Sequence, residues 1–344
     1  MIPNRFQTVT ARYRDLRVAL VGDFCLDRYL EIDPSLNEIS IETGLPVYNV
    51  TRVRSQPGGA GTILNNLVAL GISTIYPIGF YGHDGEGYEL REAISSLPGV
   101  LAKHFLQTTE RQTFTYTKPL IVTPNCPPQE LNRLDRKNWS RTPATLIKKL
   151  GTAVSGIAAN VDAIILLDQV DRPDTGVITQ GLLQVIQEIG LTHPHLFILA
   201  DSRRGLTGFP SVVWKMNQSE LAALTETAAR QTVADIVTTT ARLAGAHGRH
   251  VFVTLAENGI VGASPDGEVA HVPALPLRGP IDIVGAGDAV TANLTTAMAA
   301  GATLRESLEI AAAAASVVIH QLGTTGTASL TQIGALVNSE TVHE

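Results

Sequence analysis

Short apolar runs alternate with helical stretches along most of this 344-residue chain, and this alternation limits the folds that it can adopt. After Arg17, the run Arg17–Gly22 is apolar at every position and does not alternate with polar residues. This is typical of a strand buried on both faces of a sheet. Runs of the same kind follow at Asp162–Leu167, Leu196–Ala200, Val212–Met216 and His250–Leu255. Because such strands alternate with helical stretches such as Ala289–Gly301, we predict an α/β fold with three layers, α/β/α, around a mostly parallel central sheet.

Two separated segments break this pattern. Residues 29–55 and 105–122 contain short alternating pieces, such as Val47–Val53 and Phe114–Thr117, which are typical of antiparallel strands with one face in water. We find no long linker and no internal repeat. The sequence therefore predicts a single domain over residues 13–340, with a small antiparallel β lid formed by these two inserted segments.

Composition and charge exclude several classes of protein. Hydrophobic residues make up 44% of the chain and charged residues 17%, which excludes intrinsic disorder. The 32 acidic and 26 basic residues give a net charge of −6, which argues against broad binding to nucleic acid or to an anionic membrane. Any phosphate group must therefore be bound by local features rather than by a basic surface.

Targeting signals are also missing from the expected positions. The residues before Arg17 mix arginine with polar side chains and lack the apolar core of a signal peptide. The most apolar segment, Ile310–Ile319, has about half of the roughly 20 residues that span a bilayer. Cys25 and Cys126 belong to no metal-binding or disulfide pattern. We predict a cytoplasmic protein.

The most informative motif lies in the segment Ile281–Leu294, where a strand-like run, a Gly-Ala-Gly turn and a helix follow one another. Free backbone N–H groups and the positive end of the helix dipole favour an anion at such a turn. Asp288, in the first helical turn, suits a general base beside that anion. A glycine turn whose aspartate only caps the helix is the alternative, and the motif alone leaves both open.

A second glycine-rich turn precedes another helix. Gly58 and Gly59 join the first alternating segment to the helical stretch Thr62–Gly71. Backbone amides at such a turn can bind the hydroxyls of a polar ligand, but the motif alone is weak evidence, because a purely structural turn of this kind is common. The GxxxxGK[ST] and GxGxxG fingerprints are absent, which argues against a Walker-type NTPase and a dinucleotide dehydrogenase.

Taken together, these motifs resemble those of the ribokinase-like (PfkB) carbohydrate kinases, over about Val18 to Ser329. The resemblance rests on Gly58-Gly59…Gly71, Gly79-x-x-Gly82-x-Asp84-x-x-Gly87, Asn217-x-x-Glu220 and Asp282-x-x-Gly285-Ala-Gly-Asp288. Within that family the chain looks most like the kinase half of the bifunctional heptose-phosphate kinase/adenylyltransferases. The segments that resemble it are Gly22–Tyr29, Arg133–Asp135 and Leu322–Thr324, and the adenylyltransferase half has no counterpart.

The resemblance implies an ATP-dependent kinase that phosphorylates a hydroxyl of a sugar or sugar phosphate. Asp288 would be the catalytic base, and the amides of Gly285, Ala286 and Gly287 would bind the transferred γ-phosphoryl group. The nucleotide would lie along Asn217, Thr254, Glu257 and Gly259. Asn217 and Glu220 would organise Mg²⁺ largely through water; the alternative is that this pair only caps a helix.

The same resemblance assigns the sugar side of the site. Asp27, Gly58, Gly59 and Thr62 match positions that contact the sugar, and the backbone at Asp282 and Val284 matches a monovalent-cation site, for K⁺, of some relatives. Arg133, Arg203, Arg204 and Lys118 are candidates for binding a phosphate already on the substrate, with solvated surface charge as the alternative. The lid forms a homodimer interface in many members of the family.

Several residues depart from the family pattern. Thr62 stands where the family usually has Asn, Ile283 where Thr is common, and Asn293 where a small residue is expected. Near the nucleotide base, Ala312 replaces an Asn and Gln321 a Lys. Since the phosphoryl-transfer residues are kept, we interpret the chain as an active kinase with altered specificity. A non-catalytic sugar- or nucleotide-sensing protein and a nucleoside kinase are the alternatives.

Overall fold

The computed structural model describes residues 1–228 and 231–339, and within them the chain forms sixteen strands and ten helices. The predicted domain end at residue 340 lies outside the described residues. The strands are β1 Arg17–Gly22, β2 Phe24–Ile32, β3 Glu38–Ile39, β4 Pro46–Val47, β5 Val50–Gly59, β6 Thr74–Gly82, β7 Phe105–Thr108, β8 Phe114–Ile121, β9 Gln129–Glu130, β10 Leu134–Arg136, β11 Ala163–Asp168, β12 Phe197–Ser202, β13 Val213–Asn217, β14 Val251–Thr254, β15 Ile260–Ala263 and β16 Val269–Val272. The helices are α1 Pro3–Thr10, α2 Ala60–Ala69, α3 Gly85–Ser95, α4 Ala144–Ile157, α5 Gln180–Thr192, α6 Gln218–Thr225, α7 Val233–His247, α8 Ala286–Ala299, α9 Leu304–Val318 and α10 Leu330–Ser339.

Nine strands form the central sheet, in the order β16-β15-β14-β13-β12-β11-β1-β6-β7. The strands from β14 to β7 in this order run parallel to their neighbours. Only β15 and β16 add to the edge in antiparallel register. The mostly parallel central sheet that the sequence predicts is therefore confirmed.

Helices cover both faces of this sheet. Successive residues of β11 show how: Ile164 and Leu166 pack into one apolar cluster with α4, α5 and α7, while Ile165 and Leu167 pack into another with α2, α8 and α9. Strands with both faces covered need apolar residues at every position, which is why the runs lack alternation. The three-layer arrangement is confirmed.

A smaller sheet forms the lid, in the order β10-β8-β2-β5, with β9 paired to β8. Its β2–β5 and β8–β10 pairs are antiparallel, whereas β2 and β8 run parallel. We call this the lid sheet. It is larger than predicted, because β9 and β10 continue it past residue 122 as far as Arg136.

The predicted start of the second lid segment, residue 105, is wrong. Phe105–Thr108 is β7, which pairs with β6 at the edge of the central sheet, and the lid sheet resumes only at Phe114. The Phe105 ring lies in the core, 5.0 Å from the ring of Phe24 and 4.8 Å from that of Tyr81. Four residues are too few for periodicity to distinguish an edge strand of one sheet from a strand of the other.

The two faces of the lid sheet differ. On one face, Arg28 Nη2 lies 2.9 Å from Glu89 Oε1 and Ser55 Oγ donates to Glu89 Oε2 at 2.8 Å, which fixes the sheet to α3. Since side chains alternate along a strand, Asp27, its partner Gln56 and the paired Tyr116 share the opposite face. We call this second side the inner face of the lid.

In residues 1–228 and 231–339, we find no helix that combines the length and the apolar character needed to cross a membrane.

Candidate active site

The site lies at the carboxyl ends of the parallel strands. Asp201 is close to the end of β12, Asn217 ends β13 and Thr254 ends β14, so the three residues share one edge of the sheet. Helix α8 begins against this edge, since Thr291 Oγ1 on its second turn donates to Asp201 Oδ2 at 2.9 Å. Crevices at the carboxyl ends of strands are where open α/β sheets bind ligands.

A glycine turn opens the amino terminus of α8. Gly285 has a φ of +83°, a left-handed conformation that a side chain would strain. The Ala286 amide donates to Ile283 O at 3.2 Å, so one of the three amides predicted to bind an anion is already occupied. Within the described residues, the amides of Gly285 and Gly287 have no protein acceptor. These two N–H groups and the helix dipole form the anion-binding end of α8.

Asp288 lies in the first turn of α8 and is half-buried. Within the described residues its carboxylate accepts no hydrogen bond. Burial raises the pKa of Asp288 to about 7, and the negative charges of Asp201 and Asp27 act in the same direction, while Lys215 opposes them. A carboxylate with a pKa close to neutral is suited to accept a proton from a ligand hydroxyl.

A buried ion pair, absent from the residues that the sequence analysis singled out, lies beneath this turn. Lys215 is 6% exposed, and its Nζ lies 2.7 Å from Asp201 Oδ2. Burial lowers the pKa of Lys215, but attraction to Asp201 outweighs this and leaves the pKa above its ordinary value, so the lysine is charged. A Cβ added at Gly287 would lie 3.3 Å from Lys215 Nζ, which places this cation next to a free amide.

The sequence carried a signal for this pair. Lys215 interrupts the apolar run Val212–Met216, and Asp201 directly follows the run Leu196–Ala200. A charge inside a buried strand requires a partner of opposite sign. The partner lies on the neighbouring strand, however, and only the pairing of β12 with β13 identifies it.

Asn217 and Glu220 form a capping box at the start of α6. Glu220 N donates to Asn217 Oδ1 at 2.9 Å, and Asn217 N donates to Glu220 Oε2 at 2.7 Å. Burial, together with the charge of Asp201, raises the pKa of Glu220 above its ordinary value. This geometry is the helix cap that the sequence offered as the alternative to metal binding. The cap uses Glu220 Oε2 and does not use Glu220 Oε1.

The same residues fit a hydrated divalent cation. The oxygens of Glu220 and Asp201 have the chemistry that Mg²⁺ prefers, and their mutual repulsion would be relieved by a cation between them. Among the described residues, no three His, Cys, Asp or Glu side chains lie close enough to hold a metal ion by themselves. A magnesium that keeps most of its water ligands needs few direct protein ligands.

Thr254 and the turn after it lie beside Asn217. The two residues are partners in the β13–β14 register. Glu257 is exposed in the short turn Ala256–Asn258, and Gly259 closes it with a φ of +89°. A Cβ at Gly259 would run into the carbonyl oxygen of Val272, so this glycine is required by packing as well as by conformation.

The predicted sugar contacts lie on the lid side. Asp27 is 8% exposed on the inner face of the lid, and a Cβ added at Gly58 would lie 2.5 Å from its Oδ2. Burial raises the pKa of Asp27, while Lys118 and Arg133 lower it. In the part of the chain that the structure describes, the Asp27 carboxylate accepts no hydrogen bond and is free for a ligand.

Helix α2, which follows Gly58 and Gly59, connects the predicted sugar contacts with the glycine turn of α8. Gly59 begins α2 with a φ of +57°. The Cγ2 atom of Thr62, in the first turn of α2, would lie 3.5 Å from a Cβ at Gly285. The structure therefore brings the predicted sugar-binding and phosphoryl-binding residues together at one cleft.

Asp282 and Val284 lie in the exposed turn before Gly285. Val284 N donates to Asp282 Oδ1 at 3.0 Å, and Asp282 N donates to Ile319 O at 2.8 Å. Ile283 is 73% exposed and makes no buried contact that would explain the loss of Thr. Asn293 is fully buried in α8, where its Nδ2 donates to Ala289 O of the same helix, so it does not line the cleft.

Comparisons with known proteins show which chains this one is similar to. Residues 209–331 match the family model described as pfkB family carbohydrate kinase. The chain is 30% identical over 312 residues to the bifunctional protein HldE of Azorhizobium caulinodans, covering 89% of this chain and 61% of that protein. It is 27% identical to HldE of Gluconacetobacter diazotrophicus, covering 95% of this chain and 65% of that protein. The chain thus spans less than two thirds of the length of these relatives.

Solved structures share the fold. Arabidopsis thaliana ribokinase complexed with ribose and ATP superposes with a TM-score of 0.68 at 19% identity, over 94% of this chain and 98% of that one. Phosphofructokinase-2 from Escherichia coli in complex with potassium superposes with a TM-score of 0.73 at 18% identity, over 95% of this chain and 99% of that one. At these identities the likeness establishes the ribokinase-like fold of the chain.

Proposed function

Because the chain contains a pfkB-family carbohydrate kinase domain, we propose that it transfers the γ-phosphoryl group of ATP to a hydroxyl of a sugar phosphate. One observation carries this proposal. Asp288, whose pKa burial and the charge of Asp201 raise to about 7, lies at an anion-binding helix end, and Thr62 of α2 brings the lid side, with the free carboxylate of Asp27, next to Gly285. A base, an anion site and a free carboxylate for sugar hydroxyls are the groups that such a transfer requires.

In the proposed reaction, Asp27 accepts hydrogen bonds from sugar hydroxyls and orients the acceptor. Asp288 accepts the proton of the attacking hydroxyl, whose oxygen forms the new bond to the γ-phosphorus as the bond to ADP breaks. The Gly285 and Gly287 amides and Lys215 stabilise the charge that spreads over the γ-phosphoryl oxygens. Thr254, Asn217, Glu257 and Gly259 line the nucleotide side.

Cations complete the proposal. Glu220 and Asn217, with Asp201, would hold Mg²⁺ through water, and bound Mg²⁺ would neutralise charge on the β- and γ-phosphates. The turn at Asp282 and Val284 is proposed as a monovalent-cation site, for K⁺, because both residues lie directly before the α8 turn. A cytoplasmic location stays a prediction.

Changing Asp288→Asn removes the proton acceptor and leaves the two free amides of α8 in place. We expect turnover to fall by about 10²- to 10⁴-fold, the usual contribution of a general base. Binding of Mg·ATP, measured by calorimetry, should change little. The control is Asp15→Asn, an exposed aspartate at the opposite end of β1, which should keep full activity. A D288N enzyme with near-wild-type turnover would contradict the role of this residue.

The pKa of Asp288 predicts the pH dependence. The carboxylate accepts a proton only when ionised, and with a pKa of about 7 its ionised fraction rises as the pH rises through 7. We therefore expect kcat/KM to fall about tenfold per pH unit well below 7. In Lys215→Met the lost positive charge raises this pKa further, so the acidic limb should move to higher pH. A wild-type kcat/KM profile whose acidic limb lies below pH 5.5 would argue against Asp288 as the base. A K215M profile whose acidic limb does not shift would do the same.

The inner face of the lid favours an acceptor that already carries a phosphate. Lys118 Nζ and the Arg54 guanidinium lie on the Tyr29 ring, 5.0 and 4.8 Å from its centroid. The Arg133 guanidinium lies 5.0 Å from the centre of the Tyr116 ring. Burial raises the pKa of Asp27 and the charges of Lys118 and Arg133 lower it, so these two cations act at Asp27, whereas Arg54 is paired with Glu31 at 2.6 Å. A nucleoside has no anionic group to occupy such a surface, so the charges favour a sugar phosphate over a nucleoside.

Two other candidate arginines are less available. Arg204 Nη2 lies 2.7 Å from the buried Asp168 Oδ2, and Arg203 Nε lies 3.3 Å from Asp171 Oδ1. Arg133 also has a partner, Asp135, at 2.7 Å. Lys118 has no ion-pair partner among the described residues, which makes it the first choice for the phosphate of the acceptor.

Replacing Lys118 with Ala should therefore weaken acceptor binding selectively. In an ATP-consumption screen over ribose, fructose 6-phosphate, heptose phosphates and nucleosides, we expect the wild type to prefer a phosphorylated sugar, and a heptose phosphate first. For that acceptor, K118A should raise KM about tenfold or more and leave the KM for ATP unchanged. Lys103→Ala, an exposed lysine before β7, is the control. An unphosphorylated best acceptor, or an unchanged KM in K118A, would contradict the proposed substrate class.

Binding of nucleotide and sugar phosphate without turnover over this whole panel would instead favour a non-catalytic sensor.

We also propose that the lid sheet mediates a homodimer. Strand β5 is its edge strand, and apolar side chains are exposed on this part of the lid: Ile39 61%, Ile41 100%, Leu45 64%, Tyr48 51% and Val53 48%. A sheet edge beside an apolar patch is suited to pairing with a second copy.

Light scattering after size-exclusion chromatography tests this. We expect the wild type to have twice the mass of one chain and Ile41→Lys to dissociate it, while Leu191→Lys, on the surface of α5, should not. A monomeric wild type would refute the dimer.

A further inference from the structure

We propose that Gln56 is a positioning residue that couples the lid to the α9–α10 loop, residues 319–329, and through it to the amino terminus of α8. Gln56 lies on the inner face of the lid, half-buried. The α9–α10 loop packs against Gly285 at the start of α8. That the coupling affects nucleotide binding rests on the proposed function. The contacts of Gln56 that carry the inference do not depend on which substrate binds.

Two hydrogen bonds connect Gln56 with that loop. Its Nε2 donates to Thr325 Oγ1, and its Oε1 accepts a hydrogen bond from Thr324 Oγ1 at 3.3 Å. The amide thus uses both its donor and its acceptor on neighbouring threonines that lie almost 270 residues away in sequence. Both threonines are half-buried.

On the lid side, Gln56 is tied to the proposed sugar contact. Gln56 and Asp27 are direct partners in the antiparallel β2–β5 register, so their side chains lie on the same face. Only Pro57 separates Gln56 from Gly58 and Gly59, which end β5 directly before α2. A movement of the lid over a ligand at Asp27 therefore moves Gln56 with it.

On the other side, the loop contacts the anion-binding end of α8. A Cβ at Gly285 would lie 3.2 Å from Thr325 Cγ2, so Thr325 covers the residue that begins the helix. Gln321 braces the loop internally, since its Nε2 donates to Thr327 O at 2.7 Å and its Oε1 accepts from Thr327 N at 3.2 Å. The loop therefore moves as one unit with Thr325.

It follows that the position of the lid and the packing of Thr325 against Gly285 depend on each other. A nucleotide whose phosphates bind at α8 orders the loop, the loop holds Gln56, and Gln56 holds the lid strand beside Asp27. Coupling between two sites is reciprocal, so an ordered lid also favours the nucleotide.

Hydrogen–deuterium exchange with Mg·AMP-PNP, a nucleotide that is not hydrolysed, tests this without a known sugar. In the wild type we expect the nucleotide to slow exchange in residues 50–59 of the lid as well as in the α9–α10 loop. In Gln56→Ala the loop should still be protected and the lid should not. Ser55→Ala is the matched control, because Ser55 is the preceding residue of β5, faces α3 and binds Glu89; its lid should respond like the wild type.

A second variant separates coupling from misfolding or direct ligand contact. Thr325→Val keeps the methyl group beside Gly285 and removes the hydroxyl that Gln56 binds. Each single variant should weaken Mg·AMP-PNP about fivefold or more, at the low end of usual coupling factors. The double variant should be no weaker than the singles, because both remove the same interaction. Additive losses would show that Gln56 acts elsewhere and would overturn the inference.

The outcomes are distinguishable. Nucleotide binding by the wild type without any change in lid exchange overturns this inference alone. A wild type that does not bind Mg·AMP-PNP overturns the proposed function and the inference with it. Protection of the lid in Gln56→Ala equal to that in the wild type also overturns the inference, provided that the variant has a wild-type thermal unfolding curve.

Discussion

The Lys215–Asp201 pair connects three elements that must keep a fixed relation for the site to exist. Lys215 is on β13, Asp201 is on β12, and Thr291 of α8 donates to the same carboxylate oxygen. Two charges taken out of water lose a large solvation free energy, and only close pairing with further hydrogen bonds offsets this loss. The pair therefore tolerates little displacement. Through it, the amino terminus of α8 is fixed against the carboxyl ends of two strands.

This arrangement also sets the electrostatics of the cleft. Burial and the charge of Asp201 raise the pKa of both Glu220 and Asp288, while Lys215 lowers both pKa values. A site with one buried lysine and two free amides can bind a phosphoryl group although the chain as a whole carries a charge of −6. Lys118, Arg54 and Arg133 lie instead against the Tyr29 and Tyr116 rings of the lid. The two anionic ligands that we propose, nucleotide and sugar phosphate, thus face separate positive groups, and this separation places them on opposite sides of Asp288.

The sequence predicted the parts of the structure that depend on local pattern. The apolar runs identify buried parallel strands because a strand covered on both faces shows no alternation, and the central sheet and its helical layers follow. Phe105–Thr108 was assigned to the lid because four residues carry too little periodicity to show which sheet they join. Glycines at 59 and 285 were recognised because their left-handed conformations are local demands, whereas Gly58 is required by its close approach to Asp27 on the neighbouring strand.

Features that depend on tertiary contact were not predicted. The partner of Lys215 is set by the pairing of β12 with β13, and the hydrogen bonds of Gln56 join segments almost 270 residues apart. The Ala286 amide is taken by Ile283, a detail of turn geometry that the Gly-Ala-Gly motif does not encode. For Asn217 and Glu220 the sequence left capping and metal binding open. The structure shows the capping box, which uses one carboxylate oxygen of Glu220 and so is compatible with the other role.

The choice between a kinase and a non-catalytic sensor turns on Asp288. Burial and two like charges raise its pKa to about 7, so keeping this carboxylate in place costs folding free energy at neutral pH. An asparagine at the same helical position would avoid that cost and could still hydrogen-bond a ligand hydroxyl. A sensor needs only the hydrogen bond, whereas a phosphotransferase needs a group that accepts the proton. Because an asparagine would serve a sensor at lower cost, the carboxylate at this position favours the kinase.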